Sequence, residues 1–250
     1  MALPDNGGRA PAAVLWDMDG TLIDSEKLWT VSLADLMREL GGVLTPELRE
    51  ALVGSNMDAT LNAMFALVGR TPTETEYAEA GEYLTDRTAE LFRAGLPWRP
   101  GAQQALLAAR SAGLPMALVT STQRRLTEIA LDSLGRELFD VSVCGDEVNG
   151  RNKPLPEPYL RAAGLLGLVP EDCVAVEDSV HGAASAENAR AAVLVVPAEV
   201  AVPNGPRRVF RDSLVGVDAE ALAQVWRTVN SAAEGDTEGD ADSAAASALA

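Results

Sequence analysis

The stretch VLWDMDGTLIDSE, residues 14–26, decides the fold. It begins as an apolar run and then changes abruptly to Asp17 and Asp19, followed by Gly20 and Thr21. Two carboxylates this close repel each other, and burial beside a core disfavours their ionised forms. The stretch is therefore either a polar turn or a site that holds a cation, and the rest of the chain decides between the two.

Length and charge limit the classes of protein that the chain can belong to. Its 250 residues suit one large domain, or a medium domain with a smaller insertion. Hydrophobic residues make up 47% of the chain, which is enough for a substantial core. The formal net charge of −17 argues against nucleic acid and anionic membranes as partners, because both bind basic surfaces.

Several features predict a soluble, cytoplasmic protein. Residues 1–12 lack the basic and apolar regions of a secretion signal. No apolar run approaches the ~20 residues that a membrane-spanning helix needs. Cys144 and Cys173 have no metal-ligand spacing, so we expect small buried thiols in a reducing compartment.

Strand-like and helical segments alternate along most of the chain. Apolar runs typical of strands buried on both faces occur at 12–16, 116–119, 139–144, 173–176 and 193–196. Helical patterns lie between most of them, at 101–112, 122–134, 157–166 and 180–191. This alternation predicts an α/β fold, a Rossmann-like, doubly wound parallel sheet with helices on both faces.

One long segment between the first two strand-like runs interrupts this alternation, because it shows helical signals and no strand-like run. Apolar spacing, capping residues and glycine stops indicate four helices, which start near Leu28, after Thr45, at residue 57 and after Thr73. We therefore expect an all-helical domain inserted directly after the first strand. The expected division is a core made of 1–24 and 94–230, a helical insertion at 25–93, and a disordered acidic tail at 231–250.

Polar side chains follow four strands of the predicted sheet. They are Asp17 and Asp19 after the first, Thr120 and Ser121 after the second, Lys153 in the loop after the third, and Glu177 and Asp178 after the fourth. In an open parallel sheet, ligands bind at the carboxyl ends of the strands. Carboxylates with a backbone carbonyl and waters suit Mg²⁺, and one carboxylate can attack phosphorus. A lysine and a hydroxyl can hold phosphoryl oxygens.

These motifs resemble those of the haloacid dehalogenase superfamily. DMDGT, the hydroxyl after the second strand, the lysine of KPLPEPY and the sequence VEDS follow the family's order and separation over about residues 12–197. The β-phosphoglucomutase-like branch, which has a helical cap, is the most similar. The resemblance implies an Mg²⁺-dependent enzyme whose inserted helices close over the substrate and exclude water.

The resemblance also assigns a role to each site residue. Asp17 is the expected nucleophile and a metal ligand, and Asp19 the expected acid and base, with its carbonyl on the metal. Thr120 and Lys153 are expected to hold the phosphoryl group. The remaining expected contacts are Asp178 and Glu177 at the metal, the latter through water, and Ser121, Gly54 and Asn56 at the substrate.

Four further residues near these motifs have structural interpretations. We expect Ser25, with Asp24, to cap the first inserted helix or to act as a hinge. Trp29 lies in an apolar stripe, which favours a place in the core of the insertion over substrate contact. His181, the only histidine, is expected at the surface because the resemblance gives acid–base chemistry to an aspartate.

Relatives with this architecture catalyse several reactions, and the residues favour one of them. Dehalogenases do not use the second acid, which Asp19 supplies here. Phosphonate-cleaving relatives need a cap lysine that forms a Schiff base, and the only lysine in the insertion is Lys27, near the start of its first helix. Mutases need cap cations for a second phosphate, and the loop at 53–58 contains none.

We therefore predict a phosphatase of phosphoric monoesters that forms an aspartyl-phosphate intermediate. The expected substrate is a small phosphorylated metabolite such as a sugar or polyol phosphate, and the expected state is a monomer. A β-phosphoglucomutase-type mutase is the main alternative. A non-catalytic, metal-binding regulatory protein is the more distant one.

Overall fold

A six-stranded parallel sheet forms the centre of the structure, a computed structural model that describes residues 10–231. The strands are β1 (Ala13–Trp16), β2 (Met116–Val119), β3 (Val141–Val143), β4 (Cys173–Glu177), β5 (Ala192–Val195) and β6 (Arg208–Phe210). They lie in the order β3-β2-β1-β4-β5-β6, and each neighbouring pair is parallel. The predicted doubly wound α/β fold is confirmed.

Strand β1 lies in the interior of the sheet, with β2 on one side and β4 on the other. Trp16 aligns with Leu118 of β2 and with Val176 of β4, so that these three strands end at the same level. Every residue of β1 is fully buried, as a continuous apolar run predicts for a strand covered on both faces. The residues that follow these strands therefore emerge at one edge of the sheet.

Helices cover both faces of the sheet. They are α5 (Ala102–Ser111), α6 (Arg124–Leu134), α7 (Glu157–Leu165), α8 (Val180–Asn188) and a last helix, α9, at 219–231. Alternate residues of β1 enter two separate apolar clusters, with Trp16 on the side of α5, α6 and α9 and Leu15 on the side of α7 and α8. This two-sided burial explains why the strands carry no polar alternation.

Four helices lie between β1 and α5, where the sequence predicts an insertion. They are α1 (Glu26–Glu39), α2 (Pro46–Ala51), α3 (Met57–Leu67) and α4 (Glu74–Ala94). Thr45 and Thr73 cap α2 and α4 through their side chains, and Thr73 forms a capping box with Glu76. Apolar side chains of the four helices form a third cluster around Met64 and Leu84. The domain boundary at residues 25 and 93 stays a prediction.

Three details differ from the sequence prediction or lie beyond it. Strand β6 and helix α9 were not predicted, and β6 is a half-buried edge strand of three residues that begins with Arg208. Helix α6 begins at Arg124, not at residue 122. Residues 232–250 of the predicted tail lie outside the described residues. Within 10–231, no helix combines the length and apolarity that crossing a membrane requires.

Candidate active site

Asp17 emerges at the carboxyl end of β1 and lies buried among charged groups. Its backbone N–H donates to the carbonyl of Val176 at 3.0 Å, which continues the ladder to β4. Its Oδ1 accepts a hydrogen bond from Lys153 Nζ at 2.6 Å. Its Oδ2 is buried and has no hydrogen-bond partner among the described residues. Because such an oxygen is costly to bury alone, Oδ2 fits contact with a cation or a ligand atom.

Lys153 holds the carboxylates of two strands together. Its ammonium donates to Asp17 Oδ1 and Glu177 Oε1, both at 2.6 Å, and to the carbonyl of Val119 at 2.9 Å. These contacts match the three protons of an ammonium group. Burial acts to lower the pKa of Lys153, but the two carboxylates outweigh it, so its pKa lies above the ordinary value. Lys153 is therefore a permanent cation within the site.

Three carboxylates, those of Asp17, Glu177 and Asp178, offer oxygens within 4.8 Å of one another. Burial, followed by the charge of Glu177, raises the pKa of Asp17 to about 7. Burial, followed by the charge of Asp17, raises the pKa of Asp178 well above its ordinary value. Lys153 compensates only part of this negative charge. The cluster therefore fits a divalent cation that prefers oxygen ligands.

Two glycines let the backbone approach these carboxylates. Gly20 has φ +82°, and a Cβ on it would lie 2.1 Å from Asp178 Oδ2. A Cβ on Gly182 would lie 2.0 Å from Glu177 Oε1. Tyr159, which the sequence analysis did not single out, donates from its hydroxyl to the same Glu177 oxygen at 2.5 Å. Glu177 is thus fixed by Lys153 and Tyr159, whereas the Asp178 carboxylate accepts, from the part of the chain that the structure describes, a single long bond from Thr21, at 3.3 Å.

Asp19 is held by four donors from two parts of the fold. Its Oδ1 accepts from Ser25 Oγ at 2.6 Å and from the Trp29 indole N–H at 3.1 Å. Its Oδ2 accepts from Thr122 Oγ1 at 2.8 Å and from Thr120 Oγ1 at 3.3 Å. Ser25 occupies the N-cap position of α1 without a side-chain cap bond, because its hydroxyl is directed to Asp19. Trp29 is therefore a polar partner of the site, beyond its predicted place in the core.

A pocket with an empty volume of about 720 Å³ lies between the edge of the sheet and the inserted helices. Asp17, Asp19 and Lys153 line it from the core. Two of the three residues predicted to contact the substrate, Ser121 and Gly54, also line the pocket.

The third predicted substrate contact, Asn56, is not among the residues that line this pocket. Its Oδ1 accepts the backbone N–H of Ala59 at 2.9 Å and so caps α3. Gly54, in contrast, has φ +71°, and a Cβ on it would lie 3.1 Å from Ser179 on the core side. A substrate contact by Asn56 stays a prediction.

Residues with competing interpretations lie away from the pocket. Lys27 keeps 81% of its side chain exposed, pairs with Asp24 and is not among the residues that line the pocket. His181 is half-buried in a separate groove beside Glu47 and Glu50. The two cysteines are buried free thiols, as the sequence predicts.

The insertion contributes two charged residues to the pocket that the sequence analysis did not identify. Glu26, at the start of α1, and Arg49, on α2, form a buried ion pair on the pocket wall. The loop at 53–58 supplies no cation, as predicted, but the insertion as a whole does. No local pattern marks this pair, because its members are 23 positions apart in the chain.

Comparisons with known proteins show which family the chain belongs to. The family model of haloacid dehalogenase-like hydrolases matches residues 11–190. Hexitol phosphatase B of Escherichia coli (strain K12) is 34% identical over 204 residues, which are 80% of this chain and 89% of that protein. CbbY from Rhodobacter sphaeroides, solved in complex with phosphate, has a TM-score of 0.74 at 28% identity and covers 85% of this chain and 99% of its own.

A mutant of the same CbbY, solved in complex with xylulose-(1,5)bisphosphate, has a TM-score of 0.71 at 27% identity. It covers 82% of this chain and 96% of its own. The matched region contains all the strand-end motifs at which the candidate site forms. The chain belongs to the haloacid dehalogenase-like hydrolases and is a phosphatase of that family.

Proposed function

We propose that the protein is an Mg²⁺-dependent phosphatase that hydrolyses small phosphoric monoesters through a phosphorylated Asp17. The observation that carries this proposal is the unpartnered, buried Oδ2 of Asp17 beside a cluster of three carboxylates and one lysine. An oxygen in this position is available to phosphorus, while the other oxygen of the same carboxylate is held by Lys153.

The proposed reaction has two steps. In the first, Asp17 Oδ2 attacks phosphorus, the ester P–O bond breaks, and the leaving oxygen takes a proton from Asp19. In the second, Asp19 accepts a proton from water, whose oxygen attacks the same phosphorus and releases inorganic phosphate and free Asp17. Lys153 and Thr120 hold the phosphoryl oxygens during both steps.

The proposed metal ligands are the carboxylates of Asp17 and Asp178 and the carbonyl of Asp19. Bound Mg²⁺ would neutralise the negative charge shared by these carboxylates and the phosphoryl group. Glu177 is already bonded to Lys153 and Tyr159, which supports an indirect role through water. We also propose a monomeric, cytoplasmic enzyme, to which buried free thiols are suited.

The proposed substrate is a sugar or polyol monophosphate, supported by the similarity to hexitol phosphatase B. A sugar bisphosphate is the second candidate, because a related CbbY binds one. A mutase remains the alternative reaction, since Arg49 is a cation in the pocket. However, Glu26 neutralises that cation, which weakens the case for a second phosphate there.

A panel of phosphorylated metabolites, assayed for phosphate release with and without Mg²⁺, tests the proposed function. We expect Mg²⁺-dependent release from p-nitrophenyl phosphate and, more efficiently, from at least one sugar or polyol monophosphate. Incubation with β-glucose 1-phosphate and a bisphosphate activator should give phosphate without isomerisation. Isomerisation faster than hydrolysis would favour the mutase, and no turnover of any monoester would contradict the proposal.

Magnesium binding is expected to weaken as the pH falls below 7. The pKa of Asp17 is raised to about 7 in the metal-free protein, and the ion binds the deprotonated carboxylate. The apparent Kd should therefore rise at least about tenfold per pH unit below that value, with proton release on binding. Calorimetric titration in two buffers of different ionisation enthalpy measures both quantities, and a Kd that is constant from pH 5.5 to 8 would contradict the expectation.

A further inference from the structure

The ion pair on the pocket wall is built into the insertion and has no part in the proposed chemistry. The side chains of Glu26 and Arg49 are only 6% and 12% exposed. Arg49 Nη2 donates to the Glu26 carboxylate and, at 3.1 Å, to the Glu26 carbonyl. Arg49 Nε donates to Thr30 Oγ1 at 2.6 Å. These contacts fix the guanidinium on the same pocket that contains Asp17 and Lys153.

Part of this ion pair is free to bind a ligand. Within residues 10–231, neither Arg49 Nη1 nor Glu26 Oε1 forms a hydrogen bond. The inserted helices otherwise line the pocket mainly with apolar side chains, those of Trp29, Leu33, Leu52, Met57 and Leu84. A hydroxyl group both donates and accepts hydrogen bonds, so neighbouring hydroxyls of a carbon chain match one free N–H group and one free carboxylate oxygen.

The charges around Arg49 oppose a second phosphate. Its guanidinium meets not only Glu26 but also Glu199 Oε2, at 3.3 Å, so that one cation faces two carboxylates. A phosphate that took Arg49 for itself would leave Glu26 buried and unpaired, and it would also be repelled by that carboxylate. Neutral hydroxyls cause neither effect. The ion pair therefore distinguishes substrates by charge as well as by hydrogen bonding.

We propose that the Glu26–Arg49 pair determines substrate specificity: it binds the hydroxyls of a polyol or open-chain sugar monophosphate and rejects substrates that carry a second phosphate. This inference rests on the proposed phosphatase function and narrows its substrate class. It separates the sugar and polyol monophosphates from the bisphosphates among the candidate substrates.

Three substrates with the same six-carbon chain test the inference: sorbitol 6-phosphate, hexyl phosphate and sorbitol 1,6-bisphosphate. Sorbitol 6-phosphate differs from hexyl phosphate by its hydroxyl groups. Sorbitol 1,6-bisphosphate differs from sorbitol 6-phosphate by a second phosphate. For the wild-type enzyme we expect kcat/KM for sorbitol 6-phosphate to exceed both other values at least about tenfold, the scale of a hydrogen bond to a charged group. A wild-type preference for the bisphosphate would overturn the inference.

Two variants separate hydrogen bonding from charge. Arg49→Met removes the donor and should lower the ratio of kcat/KM for sorbitol 6-phosphate to that for hexyl phosphate at least about tenfold. Glu26→Gln keeps the shape and an acceptor for Arg49 but removes the negative charge. Glu26→Gln should raise the ratio of kcat/KM for sorbitol 1,6-bisphosphate to that for sorbitol 6-phosphate by about tenfold or more. The double variant, which lacks both charges, should reject the bisphosphate again.

Matched controls come from exposed positions of the inserted helices. Arg38→Met on α1 and Glu90→Gln on α4 alter side chains that are 68% and 65% exposed, and both ratios should stay within twofold of wild type. Melting temperatures identify variants that fail to fold, and the double variant, which leaves no buried charge unpaired at this position, then provides the test. If the folded variants keep both ratios unchanged, this inference is wrong, but the proposed function is not affected. Loss of all turnover in the wild type, including that of p-nitrophenyl phosphate, would overturn the proposed function and this inference with it.

Discussion

Asp17→Asn is expected to lower kcat/KM at least about 10⁴-fold for every phosphate ester, because an amide cannot form the acyl phosphate. Steady-state phosphate release measures this loss. Trapping of the wild-type intermediate, with a phosphoryl donor or a fluoride mimic of phosphate, identifies the labelled residue. Residual activity within about 100-fold of wild type, or label on a residue other than Asp17, would contradict the assignment.

The same substitution should stabilise the metal-free protein above pH 7. The pKa of Asp17 rises from 3.8 in the ordinary carboxyl to about 7 in the fold, so the native state binds a proton between these values that the unfolded state does not. The stabilisation that protonated Asp17 gives to the native state is thus fully present below pH 4 and is lost as the pH rises through 7. Asparagine removes this ionisation, and we expect a higher Tm than wild type at pH 8 without Mg²⁺. A lower Tm would mean that the bond to Lys153 outweighs the repulsion.

Lys153→Met is expected to lower both stability and activity. Removal of the ammonium leaves Asp17 and Glu177 facing each other without compensation in a buried site, where loss of one partner of an ion pair costs about 3–5 kcal/mol. Chemical denaturation without metal measures this loss. Added Mg²⁺ should restore part of the stability but not the activity, which we expect to be at least about 10³-fold lower because a phosphoryl contact is missing.

The second lysine of the chain provides the control. Lys27 is exposed and pairs with Asp24, three positions before it, so Lys27→Met should change the free energy of unfolding by less than about 1 kcal/mol. Lys153→Arg completes the series, because a guanidinium is too large for three contacts made by one compact ammonium. Wild-type activity in Lys153→Arg would contradict the role given to the ammonium geometry.

Local sequence patterns made the parallel sheet predictable, together with the polar residues at its carboxyl edge. A fully buried parallel strand must be apolar throughout, so the run that ends at Trp16 and Asp17 marks both the strand and its carboxyl end. Helix caps such as Thr73 act within a few residues and are equally visible. Strand β6 was missed because it has three residues, is half-buried and begins with an arginine, so that neither burial nor alternation marks it.

Contacts between distant segments were not predictable in the same way. Thr122 lies in a segment that the helical pattern assigned to α6, but its hydroxyl bonds Asp19 and the helix begins two residues later. Tyr159 and Glu177 meet only because α7 packs on the sheet against β1 and β2, and nothing in their local sequence indicates that bond. The Glu26–Arg49 pair depends on how two inserted helices are placed relative to each other, which periodicity does not specify.

The separate origins of the two pocket walls bear on how such an enzyme changes over evolutionary time. The groups assigned to bond breaking come from the turns after the sheet strands, whereas the wall facing the rest of the pocket comes mainly from four surface helices. Mutations in those helices can therefore shift preference from one metabolite to another while the reaction itself is inherited intact. Descendants of one ancestor can thus acquire new substrates through changes in the inserted helices while they keep the same reaction.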